Sequence, residues 1–252
     1  MRIFYDVDTQ NDFMNKNGAL YVPDAELIKP NLAKLTCFAK EKNILIAGSV
    51  DRHFGTEEYK CREGELQRWG GPFPDHCMNG SKGELKIYDT ALHVYPTRSG
   101  GPVTDRDFDA GRYIAHERET SSIKEKLRWA NNIMDVNGNL ILLYRDPKKE
   151  NLPVYFEKQN YDVFTNPAAD YFFQRLLKAR RFDKEAVVYG VATDYCVKAA
   201  VLGMQQRGVQ CYVVEDAIKG VDPKTTEAAI EEMKKAGAKF INTKKVLEEI
   251  IK

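Results

Sequence analysis

Strand and helix signals alternate along this 252-residue chain, and the alternation predicts an α/β fold, a three-layer αβα arrangement around a mostly parallel, doubly wound sheet. Two details support it. The stretch 43–50 is a continuous apolar run, as expected of a strand buried on both faces of a parallel sheet. Gly208 and Gly237 stand where helices should end, between a helical pattern and the next apolar run.

Taken in order, residues 2–8 read as a first strand. A helix follows over 24–42, with Leu27, Leu32, Leu35 and Phe38 at near-helical spacing and Asp24 as N-cap after Pro23. The second strand is 43–50. Residues 59–83 and 97–110, rich in Gly, Pro and charge, read as long loops. Between 121 and 135 a helix is predicted, with Ile123, Leu127, Ala130 and Met134 on one face and Trp129 beside it. Strands are predicted at 140–144 and 154–158. The last third is the most regular: strand 186–191, helix 194–207, strand 209–214, helix 223–236, strand 238–242 and a closing helix from 244. The whole reads as one domain, 1–252, with an insertion at about 84–152 that serves as a lid or an oligomer interface.

Composition excludes several roles. Lys and Arg number 38 and Asp and Glu 37, a balance that argues against electrostatic binding to nucleic acid or a membrane surface. No apolar run approaches the roughly 20 residues that span a bilayer. The N-terminal strand meets Asp6 and Asp8 too early for a secretory leader. Five cysteines without a CxxC pair fit a reducing, cytoplasmic setting.

In an open α/β sheet, sites lie beyond the carboxyl ends of the strands. Asp8, Asp51, His53, Lys158 and Cys196 all fall at such ends. Singly, each has an ordinary reading: a turn acid, a solvated lysine, a small buried thiol. Together they place an acid, a base and a thiol at one edge of the sheet. A helix N-terminus and a neighbouring lysine both favour the thiolate, so Cys196 should be the most reactive of the cysteines. Asp51 and His53, two apart on an extended segment, can reach one cation, and His76 can complete a facial set of three with open positions. The alternative is a surface loop with incidental histidines. His93 and His116 read as surface residues, and Cys77 as packed behind the loop.

Asp8-Thr9-Gln10-Asn11-Asp12-Phe13 resembles the opening motif of the isochorismatase-like cysteine hydrolases. Ser49-Val50-Asp51-Arg52-His53 and Phe73-Pro74-Asp75-His76-Cys77 resemble the two metal-loop motifs of its nicotinamidase branch. Gly190-Val191-Ala192-Thr193-Asp194-Tyr195-Cys196-Val197 is similar to the nucleophile motif. The resemblance covers about residues 1–83 and 153–252. It implies a triad of Asp8, Lys158 and Cys196, and a divalent ion on Asp51, His53 and His76, zinc first, with iron and manganese as alternatives. It implies a cis peptide at Val191–Ala192, an oxyanion hole from the N–H groups of Ala192 and Cys196, and a substrate ring walled by Phe13 and Phe73. The implied reaction is hydrolysis of a small carboxamide, such as nicotinamide, through a thioester. The implied partner is that substrate; the insertion, where it serves as an oligomer interface rather than a lid, would add other copies of the chain in a homo-oligomer. Phe73 stands where the family often has Trp. His76 and Lys158 are 82 positions apart, longer than the family's usual connection, with Lys148 and Lys149 as rival lysines.

Three other readings compete. The same fold could act on another small amide, or on a vinyl ether as isochorismatases do, generally without the metal set. A haloacid dehalogenase-type phosphatase would use Asp6 and Asp8 with Glu215 and Asp216, but it leaves Asp51, His53, His76 and Cys196 unexplained. A silent binding module would not need the triad.

Overall fold

The computed structural model describes residues 2–91, 112–114 and 153–249. Its strands are β1 (Ile3–Val7), β2 (Leu45–Asp51), β3 (Arg112–Ile114), β4 (Val154–Lys158), β5 (Glu185–Val191), β6 (Gln210–Lys219) and β7 (Lys239–Ile241). They form one sheet in the order β3-β4-β2-β1-β5-β6-β7, and every pairing is parallel. The helices are α1 (Asn11–Met14), α2 (Lys29–Glu41), α3 (Pro167–Leu177), α4 (Lys198–Gln206), α5 (Pro223–Lys235) and α6 (Thr243–Glu249). The expected helix at 121–135, the strand at 140–144, the loop at 97–110, His93, His116, Trp129, Lys148 and Lys149 lie outside the described residues.

Alternation along β1 divides the core. Ile3, Tyr5 and Val7 face a cluster that includes Phe172 and Phe173 of α3, Ala200, Val201 and Met204 of α4, and Met233 of α5. Phe4 faces the other way, into a cluster with Leu32, Leu35 and Ala39 of α2 and Val246 of α6. Both faces of the sheet are therefore covered, which makes the three-layer αβα arrangement. The chain order reverses around β1: β2 and β4 lie to one side, β5, β6 and β7 to the other. Sites in such sheets form at that reversal, where the loops after neighbouring strands part and leave a crevice.

Several boundaries differ from expectation. Asp24 stands at the N-cap position of a 3-10 turn rather than of the helix, with a left-handed φ of 60° and no side-chain capping bond. A 3-10 turn, Ala25–Ile28, comes first, and α2 starts at Lys29 with Pro30 in its first turn. The tighter turn throws Leu27 off the helical face, leaving it 65% exposed. Helix α3 is not predicted, although its start signal is legible: Asn166 accepts a hydrogen bond from Ala168 N at 2.9 Å, and Pro167 follows. The predicted helix from 194 begins as a wide π turn, Thr193–Val197, and becomes α-helical only at Lys198. Strand β6 runs past Val214 to Lys219, with a bulge where the pairing jumps from Val188–Val213 to Gly190–Ile218. Gly208 and Gly237 end their helices as expected, with φ of 83° and 96°.

The residues just after the metal-loop motif run antiparallel to the segment that follows β1. Asn11 N donates to Leu85 O at 2.9 Å and Ile87 N to Thr9 O at 2.9 Å. Lys86 is buried there: its Nζ is 2.9 Å from Asp6 Oδ2, donates to Thr9 Oγ1 at 2.7 Å, and lies 4.4 Å over the Tyr155 ring. A buried charge is tolerable only when so compensated.

Candidate active site

Four adjacent strands, β4, β2, β1 and β5, end at the crevice, and each delivers one group. Asp51 and Lys158 are register partners at the ends of β2 and β4. Asp8 follows β1 in a left-handed conformation, φ 46°, and Cys196 lies in the π turn after β5. Gly190 makes the close approach of β1 and β5 possible, since its φ is 120° and a Cβ there would sit 2.0 Å from Val7 O. The Val191–Ala192 peptide is cis, as the motif implies.

Lys158 is the hub. Its Nζ, fully buried, is 2.9 Å from Asp8 Oδ2, donates to Asp51 Oδ1, and donates to Cys196 Sγ at 3.3 Å. Ser49 Oγ donates to the other Asp8 oxygen at 2.7 Å. Burial opposes the lysine's charge, but Asp51 and Asp8 outweigh it and raise its pKa. For Asp8 burial wins, with Asp51 adding to it, and the carboxyl is pushed up against the pull of Lys158. That suits a group that must take up a proton.

The thiol corrects the sequence reading. Burial pushes Cys196 well up, and Asp8 and Asp51 add to this, against the opposing pull of Lys158. One ammonium shared between two carboxylates has little charge left over for a thiolate. Cys196 is also only 7% exposed, whereas Cys37 and Cys61 are exposed, so it is not the thiol that reagents meet first.

Beside the lysine lies the second constellation. Asp51, His53 and His76, expected together, do meet, and Glu65 joins them: one ligand atom from each lies within 4.8 Å of all the others. His53 Nε2 is 3.1 Å from Glu65 Oε1, and His76 Nε2 is 3.5 Å from the same oxygen and 3.8 Å from Asp51 Oδ2. Arg52, on the opposite side of the extended segment, pairs with Glu157 and Glu84. Gln10 clamps Asp51 from behind, accepting from its N–H at 2.7 Å and donating to its carbonyl at 2.7 Å. The two metal-loop motifs are tied together by His53 N to Cys77 O, 3.1 Å, and Asn79 N to His53 O, 2.7 Å. Cys77 is buried behind the loop, its Sγ 3.8 Å from Gly83 O, as expected.

These four residues fit a divalent ion. Both ring nitrogens of His53 and Oε2 of Glu65 are buried with no hydrogen-bond partner, a costly arrangement for polar atoms unless something binds them. Two imidazoles and two carboxylates suit a first-row divalent metal. Burial opposes charge on His76, yet its contacts with Asp51 and Glu65 push its pKa up to about 10. Burial likewise opposes charge on Asp51, but Lys158 and the two histidines hold its carboxyl well below the usual range. Glu65 is lowered too, its contacts with the histidines overcoming burial.

Above both constellations opens a cavity. Phe13 and Phe73 line it, as expected, and so do Ala192 and Cys196. Tyr161 and Tyr195, which the sequence reading did not single out, complete an aromatic wall. Phe73 stands edge-on to both, with ring centroids 6.1 and 5.4 Å away, and the two tyrosines are 5.3 Å from each other. Burial and then Glu65 push the Tyr161 hydroxyl up to about 12, so it stays a neutral donor and acceptor. Glu65 and Tyr161 had weak signals: Glu65 is one acid in a charged loop, and Tyr161 an aromatic three residues after a strand-end lysine.

Residues 143–245 match the isochorismatase domain family. The chain is 25% identical over 251 residues to the nicotinamidase of Escherichia coli, covering 92% of this chain and 90% of that one. It superposes on the pyrazinamidase of Pyrococcus horikoshii in complex with zinc, with a TM-score of 0.60, 24% identity, and 96% and 98% of the two chains covered. It also superposes on PnC1 of L. infantum in complex with nicotinate, with a TM-score of 0.62, 17% identity, and 97% and 93% covered. The fold, the site and these likenesses point the same way: residues 143–245 match the isochorismatase domain, and over most of its length the chain is similar to nicotinamidases and pyrazinamidases.

Proposed function

We propose that this hydrolase is a metal-dependent amidohydrolase that converts an aromatic carboxamide, nicotinamide or a close analogue, to the acid and ammonia. The observation that carries the reading is Lys158 held between Asp8, Asp51 and Cys196 at the floor of an aromatic cavity, with the Asp51–His53–Glu65–His76 set beside it. The carboxamide lies with its carbonyl carbon over Cys196 and its ring between Phe13 and the Phe73–Tyr161–Tyr195 wall. Asp8, its basicity raised by burial, takes the thiol proton as Sγ attacks. This answers the high thiol pKa, because the thiolate forms only as it is consumed. Lys158 keeps Asp8 in place and compensates the charge that moves onto it. The N–H groups of Ala192 and Cys196 receive the oxyanion, a contribution of about 3–4 kcal/mol per donor. Asp8 returns the proton to the departing nitrogen, ammonia leaves, and a thioester remains. Asp8 then takes a proton from water, whose oxygen attacks the thioester carbon; Sγ departs, recovers the proton, and the acid is released.

A divalent ion on Asp51, His53, Glu65 and His76 would supply an electrophilic anchor for a ring nitrogen. The reading takes Lys158 as the triad lysine because its Nζ meets both Asp8 and Cys196. Ammonia release from a panel of carboxamides, with nicotinamide and pyrazinamide among them, tests the reading. Turnover of the heteroaromatic amides that vanishes in Cys196→Ala supports it; no release from any amide by metal-loaded protein overturns it.

A further inference from the structure

The loop segment Glu63-Gly64-Glu65 brackets the His53 ring. Glu65 Oε1 faces Nε2 at 3.1 Å, and Glu63 Oε1 faces Nδ1 at 3.8 Å. Glu63 is fully buried, and its carboxylate is pinned by the two residues that follow His53: it accepts from Phe54 N at 2.5 Å and Gly55 N at 2.9 Å. A neutral imidazole carries one proton, and an ionised carboxylate can only accept. His76 offers an internal comparison. Its Nδ1 is 2.7 Å from Pro74 O, which also can only accept, and its Nε2 faces Asp51 and Glu65. Both histidines thus turn the same nitrogen, Nε2, toward Glu65 Oε1, each with an acceptor on the side of its other nitrogen.

We propose that Glu63 is a positioning residue for the metal centre: it holds the proton of His53 on Nδ1 and so presents the Nε2 lone pair to the ion. This rests on the metal reading above. Outer carboxylates of this kind fix the tautomer and orientation of a ligating histidine and strengthen it as a ligand. At 3.8 Å the contact is not yet a hydrogen bond. It must close by roughly 0.6–1 Å to become one, and binding at Nε2 draws out the donor that closes it. The role also explains a buried carboxylate that touches neither the cavity nor the lysine.

The test uses the full-length protein and cobalt(II). Binding is followed by visible absorption, and the histidine tautomers by long-range proton–nitrogen correlation of the zinc-loaded protein. In the wild type His53 should bind through Nε2 and carry its proton on Nδ1. Glu63→Gln should weaken cobalt binding by about 10- to 100-fold. Thermal unfolding of metal-free Glu63→Gln measures any separate loosening of the loop. His53 bound through Nδ1, or a folded Glu63→Gln that binds cobalt as tightly as the wild type, overturns the inference and leaves the metal reading standing. If Glu63→Gln does not fold, the wild-type tautomer decides alone. A wild type that binds neither ion overturns both.

Discussion

At the scale of single residues, the chemistry rests on how charge is shared around Lys158. Removing its ammonium would leave Asp8 and Asp51 facing each other without compensation, which costs about 3–5 kcal/mol for a buried pair. Lys158→Met should therefore lose both activity and stability, whereas Cys196→Ala should lose only activity and keep its metal content. Melting temperature and metal analysis separate the two. Thiol labelling at neutral pH should mark Cys37 and Cys61 before Cys196, since those two are exposed and the Cys196 thiol is held protonated. Rapid labelling of Cys196 in the resting protein would mean that the thiolate forms before substrate arrives. His76 sets a pH dependence. Its folded pKa, about 10, lies above the ordinary 6.5, so in the metal-free protein its contacts with Asp51 and Glu65 contribute fully below pH 6.5 and are lost as pH rises through about 10. The stability advantage of metal-free wild type over His76→Gln should shrink across that window. An ion must displace the same proton, so metal affinity should rise over the same range as stability from this contact falls. Equilibrium dialysis across the range checks the second half; an affinity that falls with pH would contradict it.

At the scale of elements, β1 and the residue that follows it carry two buried acid–lysine pairs, Asp6 with Lys86 and Asp8 with Lys158, each at 2.9 Å. The first has no part in the chemistry and ties the segment after the metal loops to the central strand. Lys86→Met should lower stability by about 3–5 kcal/mol, and Asp6→Leu with Lys86→Met should recover much of it, because a paired charge replaced by apolar groups leaves nothing unsatisfied. Urea unfolding of the three proteins reads this directly; a double variant no better than the single would point to the Thr9 and Tyr155 contacts instead. The N-cap of α3 is a smaller term. Asn166→Ala should cost about 1 kcal/mol.

At the scale of the molecule, the stretch expected to be an insertion divides in two. Its first residues are part of the core: Lys86, Ile87, Thr90 and Ala91 are buried. Further on, β3 adds an edge to the sheet beside β4, the strand that ends in Lys158. Replacing residues 92–151 with a flexible linker should therefore leave a folded core that keeps the Asp6–Lys86 anchor but bares the edge of β4. We expect that protein to differ from the full chain in substrate ranking or in mass by sedimentation. Equal kcat/KM across the amide panel and equal mass would make the segment dispensable for both.

What the sequence by itself determined is the frame and the four groups delivered by strand ends. Alternating apolar runs and amphipathic helices leave few topologies, and a parallel sheet gathers Asp8, Asp51, Lys158 and Cys196 at one edge wherever its strands begin and end. The start of α2 escaped because a 3-10 turn and an α-helix share almost the same local pattern, and α3 because its cap signal precedes a stretch read without periodicity. Only the tertiary structure decided that Lys158 serves two carboxylates, that the thiol rests protonated, that Glu65 and Glu63 flank His53, and that Tyr161 and Tyr195 wall the cavity. Those facts depend on burial and on distances between residues far apart in the chain, and no local spacing encodes how much water or charge a folded neighbour removes.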